Sequence, residues 1–226
     1  NLFKEAYQRA LKENPADVAM IVGTNAERIA YNKVARATLF GAQAATEALL
    51  PGDMLMCTTN TALLSNSEQF QVVGPGKASV AFDVVMPGAD GKSKTLVDII
   101  RYQGVRVLIG DEQAEITLYL APELTLASLR QPALVAALDK ETKDALINLG
   151  DIAQNKKGEW KLHPRIVIAT YGNAFTAHKA QGSQWGRVFV AQSPFMKGDA
   201  GRWLYTAITR AERQVDLLAN PKLYKP

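Results

Sequence analysis

VAMIVGTNAERIAYNKVARATLFG, residues 18–41, is the stretch whose pattern decides between fold classes. Val18 to Val22 form a near-continuous apolar run, the signature of a short strand buried on both faces of a parallel sheet. Thr24-Asn25 follows directly as a helix start, with Glu27 in the first turn; the spacing then predicts a helix through about Leu39, closed by Gly41. A strand that feeds at once into a helix is the building unit of α/β proteins, and its junction is where such folds place ligand-binding groups. Upstream, LFKEAYQRALKE (2–13) has apolar residues at helical spacing and stops at Asn14-Pro15, where proline disfavours continuation.

From about Pro51 the texture changes. Residues 53–58, 69–73, 80–86, 95–100, 105–109 and 115–120 are short runs rich in Val, Ile, Thr and aromatics, separated by turn clusters such as Gly74-Pro75-Gly76 and 87–91. Closely spaced strands of this kind predict a small antiparallel barrel. A helical stretch over 124–149 and a polar hairpin tip at 155–158 accompany it. The α/β texture then returns: a strand at 165–170, a short helix at 173–181, a strand at 187–191, a helix at 200–211 and a last strand at 215–218. The expected organisation is one α/β domain, residues 1–50 plus 163–226, interrupted by a β-rich insertion over 51–162 that includes the helical segment.

Composition narrows the function classes. With 47% apolar and 21% charged residues the 226-residue chain is ordinary for a folded domain. No run approaches the ~18 apolar residues that would cross a bilayer as a helix, so no membrane partner is expected and the chain reads as cytoplasmic. Cys57 alone rules out a disulfide framework and a cysteine-based zinc cluster, and two histidines, His163 and His178, leave little material for a metal site. The sequence opens at Asn1 rather than Met, without the basic flank and apolar core of a signal peptide, and reads as an excised piece of a longer protein. Charge is unevenly placed: residues 156–226 hold 12 Lys and Arg against 4 Asp and Glu, whereas residues 1–155 hold 14 against 18. A last third this basic points to a polyanionic partner, nucleic acid or nucleotide phosphate, although a basic surface kept for solubility gives the same count.

Two clusters in that basic third carry chemistry. TAHKAQGSQW (176–185) packs polar and charged groups, a Gly and a Trp between two apolar runs, more than covering a core requires. Thr176, His178 and Lys179 can donate to phosphate oxygens, and the Gly182-Ser183 step permits close backbone approach to a phosphate or ribose. In RWLYTAITRAER (202–213), Arg210 stands near a helix end, placed to point a planar cation across a cleft. Such an arginine can stabilise charge on a phosphoryl group in flight. Arginine at a helix C-terminus is also simply favourable with the helix dipole.

Together, TAHKAQGSQW and GRWLYTAITRAER resemble motifs V and VI of superfamily 1 helicases, and are most similar to the RecD/Dda-like enzymes of the UvrD/RecD type. Ile21-Val22-Gly23-Thr24-Asn25, with Asn32 and Arg36, resembles the Thr-Asn segment near the start of that family's second motor domain, and Pro51-Gly52-Asp53 stands where an SH3-like barrel interrupts it. The resemblance implies a RecA-like parallel sheet, the second motor domain of a P-loop NTPase, with an SH3-like insertion. It implies an ATP-dependent DNA helicase moving 5′→3′ on single-stranded DNA, using ATP and Mg²⁺ in the full-length enzyme and partnered by a missing N-terminal RecA-like motor domain. By the same resemblance Arg210 is the arginine finger, Gly182 and Gln184 approach the nucleotide with it, and Thr24, Asn25, Thr176, His178 and Lys179 contact single-stranded DNA or couple it to ATP. The family usually carries Glu or Asp where Gln184 stands; glutamine can still hydrogen-bond a ribose hydroxyl, as a neutral contact.

A Walker A loop needs G-x-x-x-x-G-K-S/T. Gly76-Lys77 fails it at both ends, with Ala78 after it and Gln71 at the earlier glycine position, and no adjacent acidic pair follows an apolar strand outside the insertion. The fragment is therefore expected to bind no ATP or Mg²⁺ alone and neither to hydrolyse ATP nor to unwind DNA. Two other readings stay open: a non-catalytic nucleic-acid-binding module, with Trp185 and Trp203 as stacking surfaces, and the motor subunit of a recombination or nuclease complex.

Overall fold

The computed structural model describes residues 2–87, 94–121, 131–192 and 199–218. The chain forms two compact units, residues 1–54 with 171–226, and residues 55–170.

The first unit begins with α1 (Leu2–Glu13), which buries Tyr7, Ala10 and Leu11. It leads into β1 (Val18–Val22), buried along its whole length. Helix α2 (Asn25–Phe40) starts with a reciprocal cap: the Thr24 hydroxyl accepts from the Glu27 N–H at 3.2 Å, and the Glu27 carboxylate accepts from the Thr24 N–H at 3.0 Å. It ends at Gly41, whose φ of +57° lies in the region glycine adopts without strain. A one-turn helix, α3 (Gln43–Thr46), follows.

The chain then enters the second unit through β2 (Met54–Cys57), β3 (Gln69–Gly74), β4 (Lys77–Pro87), β5 (Lys94–Ile109) and β6 (Glu112–Leu120). Two helices, α4 (Gln131–Ala137) and α5 (Lys140–Asn148), a hairpin of β7 (Ile152–Gln154) and β8 (Trp160–Leu162), and β9 (Ile166–Tyr171) complete it. The strand order is β3-β2-β9-β6-β5-β4, and β3 also pairs with β5, so five strands close into a ring. Phe82, Val84, Ile99, Tyr119 and Ile168 form a buried cluster of this unit with Leu134, Val135 and Leu146 from the helices. Buried in the same unit, Arg101 is paired with Asp151, whose carboxylate also accepts from the Tyr119 hydroxyl at 3.0 Å. Burial, reinforced by the Asp151 charge, pushes the Tyr119 hydroxyl well above its usual range.

The first unit resumes with β10 (Ala174–Thr176), β11 (Trp185–Ala191), α6 (Ala200–Ile208) and β12 (Ala211–Leu218). Its sheet has the order β10-β1-β11-β12 with every neighbouring pair parallel, which is the α/β architecture expected from residues 18–41. Tyr7 lies edge-on to Phe189 at 5.3 Å and packs with Met20, Val22 and Ala35 under the two long helices.

Several expectations need correction. Residues 173–181 are not a helix: 174–176 form β10, and only one turn follows, with the Lys179 and Ala180 N–H groups both donating to the Thr176 carbonyl. The strand expected at 165–170 belongs to the ring, where β9 pairs parallel with β6, so the ring is not wholly antiparallel. The unit boundaries accordingly fall after Met54 and before Tyr171 rather than at 50/51 and 162/163. The runs 95–100 and 105–109 are one strand bent at Gly104, where φ is +69° and the pairing with β6 slips between Tyr102 and Val105. The helical stretch is broken at Leu138-Asp139, because Asp139 caps α5 by accepting from the Thr142 N–H at 2.7 Å. Helix α6 stops at Ile208, and β12 starts four residues earlier than expected. The turn at 88–91 and residues 124–130 lie outside the described residues.

Arg36 holds together the points where the chain leaves and re-enters the first unit. Its guanidinium grips Asp53 with two bonds, of 2.7 and 3.0 Å, donates to the Ala44 and Glu47 carbonyls at 3.1 and 2.9 Å, and lies 4.3 Å from the centre of the Tyr171 ring. Burial pushes the Asp53 carboxyl above its usual range, while bonds from Arg36 and the Leu50 N–H pull it back. Removing one partner of a buried ion pair strands the other charge. Asp53→Ala is therefore expected to destabilise the chain by about 3–5 kcal/mol, read as a lower urea midpoint, and the double change Arg36→Met, Asp53→Leu to recover part of that loss.

Candidate functional site

The parallel sheet distributes the sequence-predicted residues between its two ends. Val22, the last residue of β1, is in register with Thr176 on one side and Ala191 on the other. Thr24 and Asn25 therefore leave β1 at the same edge at which Thr176 ends β10 and His178 and Lys179 begin the next turn. His178 is exposed and Lys179 half-buried. Thr24 is occupied structurally, since its hydroxyl also donates to the Glu27 carboxylate at 2.9 Å. One turn along α2, Arg28 is fully buried, and the cost of desolvating its charge lowers the guanidinium to about 10.

Beside this edge runs a groove of about 380 Å³ lined by Ala177, His178, Gln181, Asp199, Arg202, Trp203 and Thr206. Asp199 caps α6 by accepting from the Gly201 and Arg202 N–H groups at 2.9 and 3.0 Å. The exposed cation of Arg202 and the half-buried Trp203 thus face the same recess as His178. The sequence reading missed Arg202 and Gln181; their helical and turn spacing was visible, but not that the two segments face each other. Trp185 is no stacking platform: it is 3% exposed and packed on Phe175 with ring centres 4.8 Å apart.

The opposite end of the sheet gathers Gly182, Gln184 and Arg210. Trp185 opens β11, and its N–H donates to the Arg210 carbonyl at 3.0 Å, so the residues before β11 and those after α6 lie against each other. Gly182 has φ of +90° and open space where a Cβ would stand. Gln184 is exposed and Arg210 half-exposed. The Arg210 guanidinium donates to the Thr206 carbonyl at 3.3 Å, the Ser183 carbonyl at 3.5 Å and the Thr209 hydroxyl at 3.2 Å. All three acceptors are neutral and all three bonds are long. On the adjoining strands, by contrast, Arg187 is paired with Asp216 and Arg213 with Asp17. Among the described residues, no three His, Cys, Asp or Glu side chains gather where they could hold a metal ion.

Residues 171–218 match the family model of the UvrD-like helicase C-terminal domain. That segment runs from Tyr171 through β12 and contains both clusters, Thr176 to Lys179 and Gly182 to Arg210. No curated protein matches the chain. Among solved structures it is similar to the Pif1 helicase from Bacteroides in complex with ADP-AlF3 and single-stranded DNA, at 14% identity over 92% of this chain and 42% of that one, with a TM-score of 0.41. It is similar also to the Pif1 helicase from Candida albicans, at 16% identity over 91% of this chain and 46% of that one, with a TM-score of 0.42. The chain spans less than half the length of either structure.

Asn32, on α2, fixes where β10 sits. Its side-chain oxygen accepts from the Asn173 and Ala174 N–H groups at 2.8 and 2.9 Å, and its amide donates to the Ala174 carbonyl at 3.2 Å. Asn32→Ala leaves these backbone groups without that partner in a buried place, so a loss of at least about 2 kcal/mol is expected in chemical denaturation. Amide exchange at Asn173 and Ala174 should accelerate more than exchange in β11.

Proposed function

We propose that this chain is the C-terminal half of a superfamily 1 ATP-dependent DNA helicase of the RecD/Dda-like type. In this reading residues 1–54 and 171–226 are the second RecA-like motor domain, and residues 55–170 are an SH3-like insertion. The complete enzyme moves 5′→3′ on single-stranded DNA. The phosphate-binding loop and the ligands of Mg²⁺ belong to the other motor domain, so this fragment alone does not turn over ATP.

The observation that carries the reading is the state of Arg210. Its charge is half-exposed, lies inside the helicase-like segment, and is met by neutral acceptors at 3.2–3.5 Å rather than by a carboxylate. A phosphate offers anionic acceptors at a shorter distance, and a guanidinium–phosphate pair, ionised on both sides and able to form two parallel bonds, is stronger than its bonds to neutral acceptors. The side chain can therefore exchange its resting acceptors for a γ-phosphoryl group presented across a cleft. ATP supplies the phosphoryl group; Arg210 stabilises the charge that develops on it, Gly182 leaves room for the nucleotide, and Gln184 offers an amide to a ribose hydroxyl. At the other sheet end, Thr176, His178 and Lys179 with Thr24 and Asn25 supply donors for the phosphates of single-stranded DNA, with Arg202 beside them.

The test uses the full-length gene product, and the measurement is ATP hydrolysis with and without single-stranded DNA. Arg210→Ala is expected to lower DNA-stimulated kcat by about 10³–10⁵ while DNA affinity stays within about twofold. A protein that binds DNA with no ATPase activity, or whose ATPase ignores Arg210, is a binding module or a different enzyme. His178→Ala with Lys179→Ala is expected to weaken single-stranded DNA binding, and the loss of the Lys179 charge to flatten its dependence on salt by about one phosphate contact.

A further inference from the structure

Asp17 lies at the end of a short 3₁₀ turn, Pro15–Asp17, directly before β1, and nothing in its local sequence marks it for function. One carboxylate oxygen accepts from the Gly186 N–H at 2.7 Å, and the other is paired with the Arg213 guanidinium. These partners belong to the two segments that flank Arg210. The pairing of β11 with β12 is irregular here: Trp185 faces Ala211 and Arg187 faces Gln214, so one residue on β11 is opposed by two on β12. At that irregularity the Gly186 N–H turns to Asp17. Gly186 is buried, and a Cβ on it would overlap both the Asp17 carboxylate and the Arg213 guanidinium, so the pair lies directly against the Gly186 backbone.

The segments 183–186 and 210–213 are joined at three successive points. Arg210 donates to the Ser183 carbonyl, the Trp185 N–H donates to the Arg210 carbonyl, and Asp17 bridges Gly186 to Arg213. The first of these is long at 3.5 Å and yields when the guanidinium moves; the second joins backbone to backbone, and the third ties the Gly186 main chain to the Arg213 side chain. We infer that Asp17 is a positioning residue for Arg210, fixing from the far end of the sequence the Gly186 main chain beside the backbone that Arg210 is bonded to. The inference rests on the function proposed above for Arg210.

The two halves of the bridge differ in weight. Arg213 is about two-thirds exposed, so its ion pair contributes little. The bond to the buried Gly186 N–H matters more, because losing it leaves a buried donor unpaired. What position 17 must supply is an acceptor, and the charge is secondary. Asparagine keeps the acceptor and alanine does not.

In the full-length gene product, Asp17→Ala is expected to lower DNA-stimulated kcat by roughly ten- to a hundredfold, the scale of loss when a reacting group is displaced by about 1 Å. The KM for ATP and the affinity for single-stranded DNA should stay within about twofold of wild type, and Asp17→Asn should restore most of kcat. Circular dichroism and thermal melting establish that the variants are folded; if Asp17→Ala does not fold, Asp17→Glu, whose longer chain displaces the acceptor, replaces it with the same expectation. The inference is overturned if kcat is unchanged in the displaced-acceptor variant, if KM rises and DNA affinity falls with it, or if asparagine is as damaging as alanine. An ATPase indifferent to Arg210→Ala overturns the underlying function instead, which separates the two failures.

Discussion

A guanidinium taken out of water must find acceptors for its donors, and Arg36 finds them in segments that would otherwise have no reason to meet. Its acceptors come from the loop around α3, from Asp53 where the chain departs, and its flat face rests on Tyr171 where the chain returns. The Tyr171 hydroxyl donates to the Ala48 carbonyl at 2.7 Å and the Gly172 N–H to the Met54 carbonyl at 2.8 Å, so the two crossing strands are fastened to each other and to the same loop. An insertion of more than a hundred residues is tolerable in a parallel-sheet domain when its ends are held together. Loop-closure entropy grows only slowly with length, so the local geometry of the ends decides whether the sheet survives. With the ends fixed by Arg36, β10 can resume beside β1 as though the chain had not left.

That resumption shapes the site. A parallel sheet has two chemically different ends, and the crossover from β11 through α6 to β12 necessarily touches both. The start of α6 stands beside His178 and its end delivers Arg210 to the residues before β11. One short helix therefore spans from a recess lined by Arg202, His178 and the Trp203 ring to an arginine that is half-exposed. A shift of that helix along its axis would move both groups together, which is what the function proposed above requires if a phosphate event at one end is to be linked to a polynucleotide contact at the other.

How far the sequence disclosed this depends on how local each determinant was. The cap of α2 is complete within Thr24 to Glu27, and the five buried residues of β1 are contiguous, so both were visible. The short strand 174–176 was not: three residues show no period, alanines at 174, 177 and 180 suggest a helix, and what makes the segment extended is Asn32, more than 140 positions away. Strand 166–171 was recognised as a strand and assigned to the wrong sheet, because six buried residues look the same in either. The resemblance of 176–185 and 201–213 to helicase motifs named the site residues; it said nothing of Asp17, whose hydrogen bond spans 169 positions.

The acceptors of Arg210 also bear on the unusual Gln184. A carboxylate at that exposed position would stand one residue from Ser183, whose carbonyl the guanidinium already touches, and could reach it. An intramolecular ion pair of that kind would give Arg210 a charged partner within its own unit and make its release to a phosphate more costly. An amide at 184 offers only another neutral acceptor. On the function proposed above, glutamine would trade a stronger ribose contact for an arginine whose charge stays uncommitted until an anion arrives, weakening nucleotide grip while keeping Arg210 responsive to phosphate.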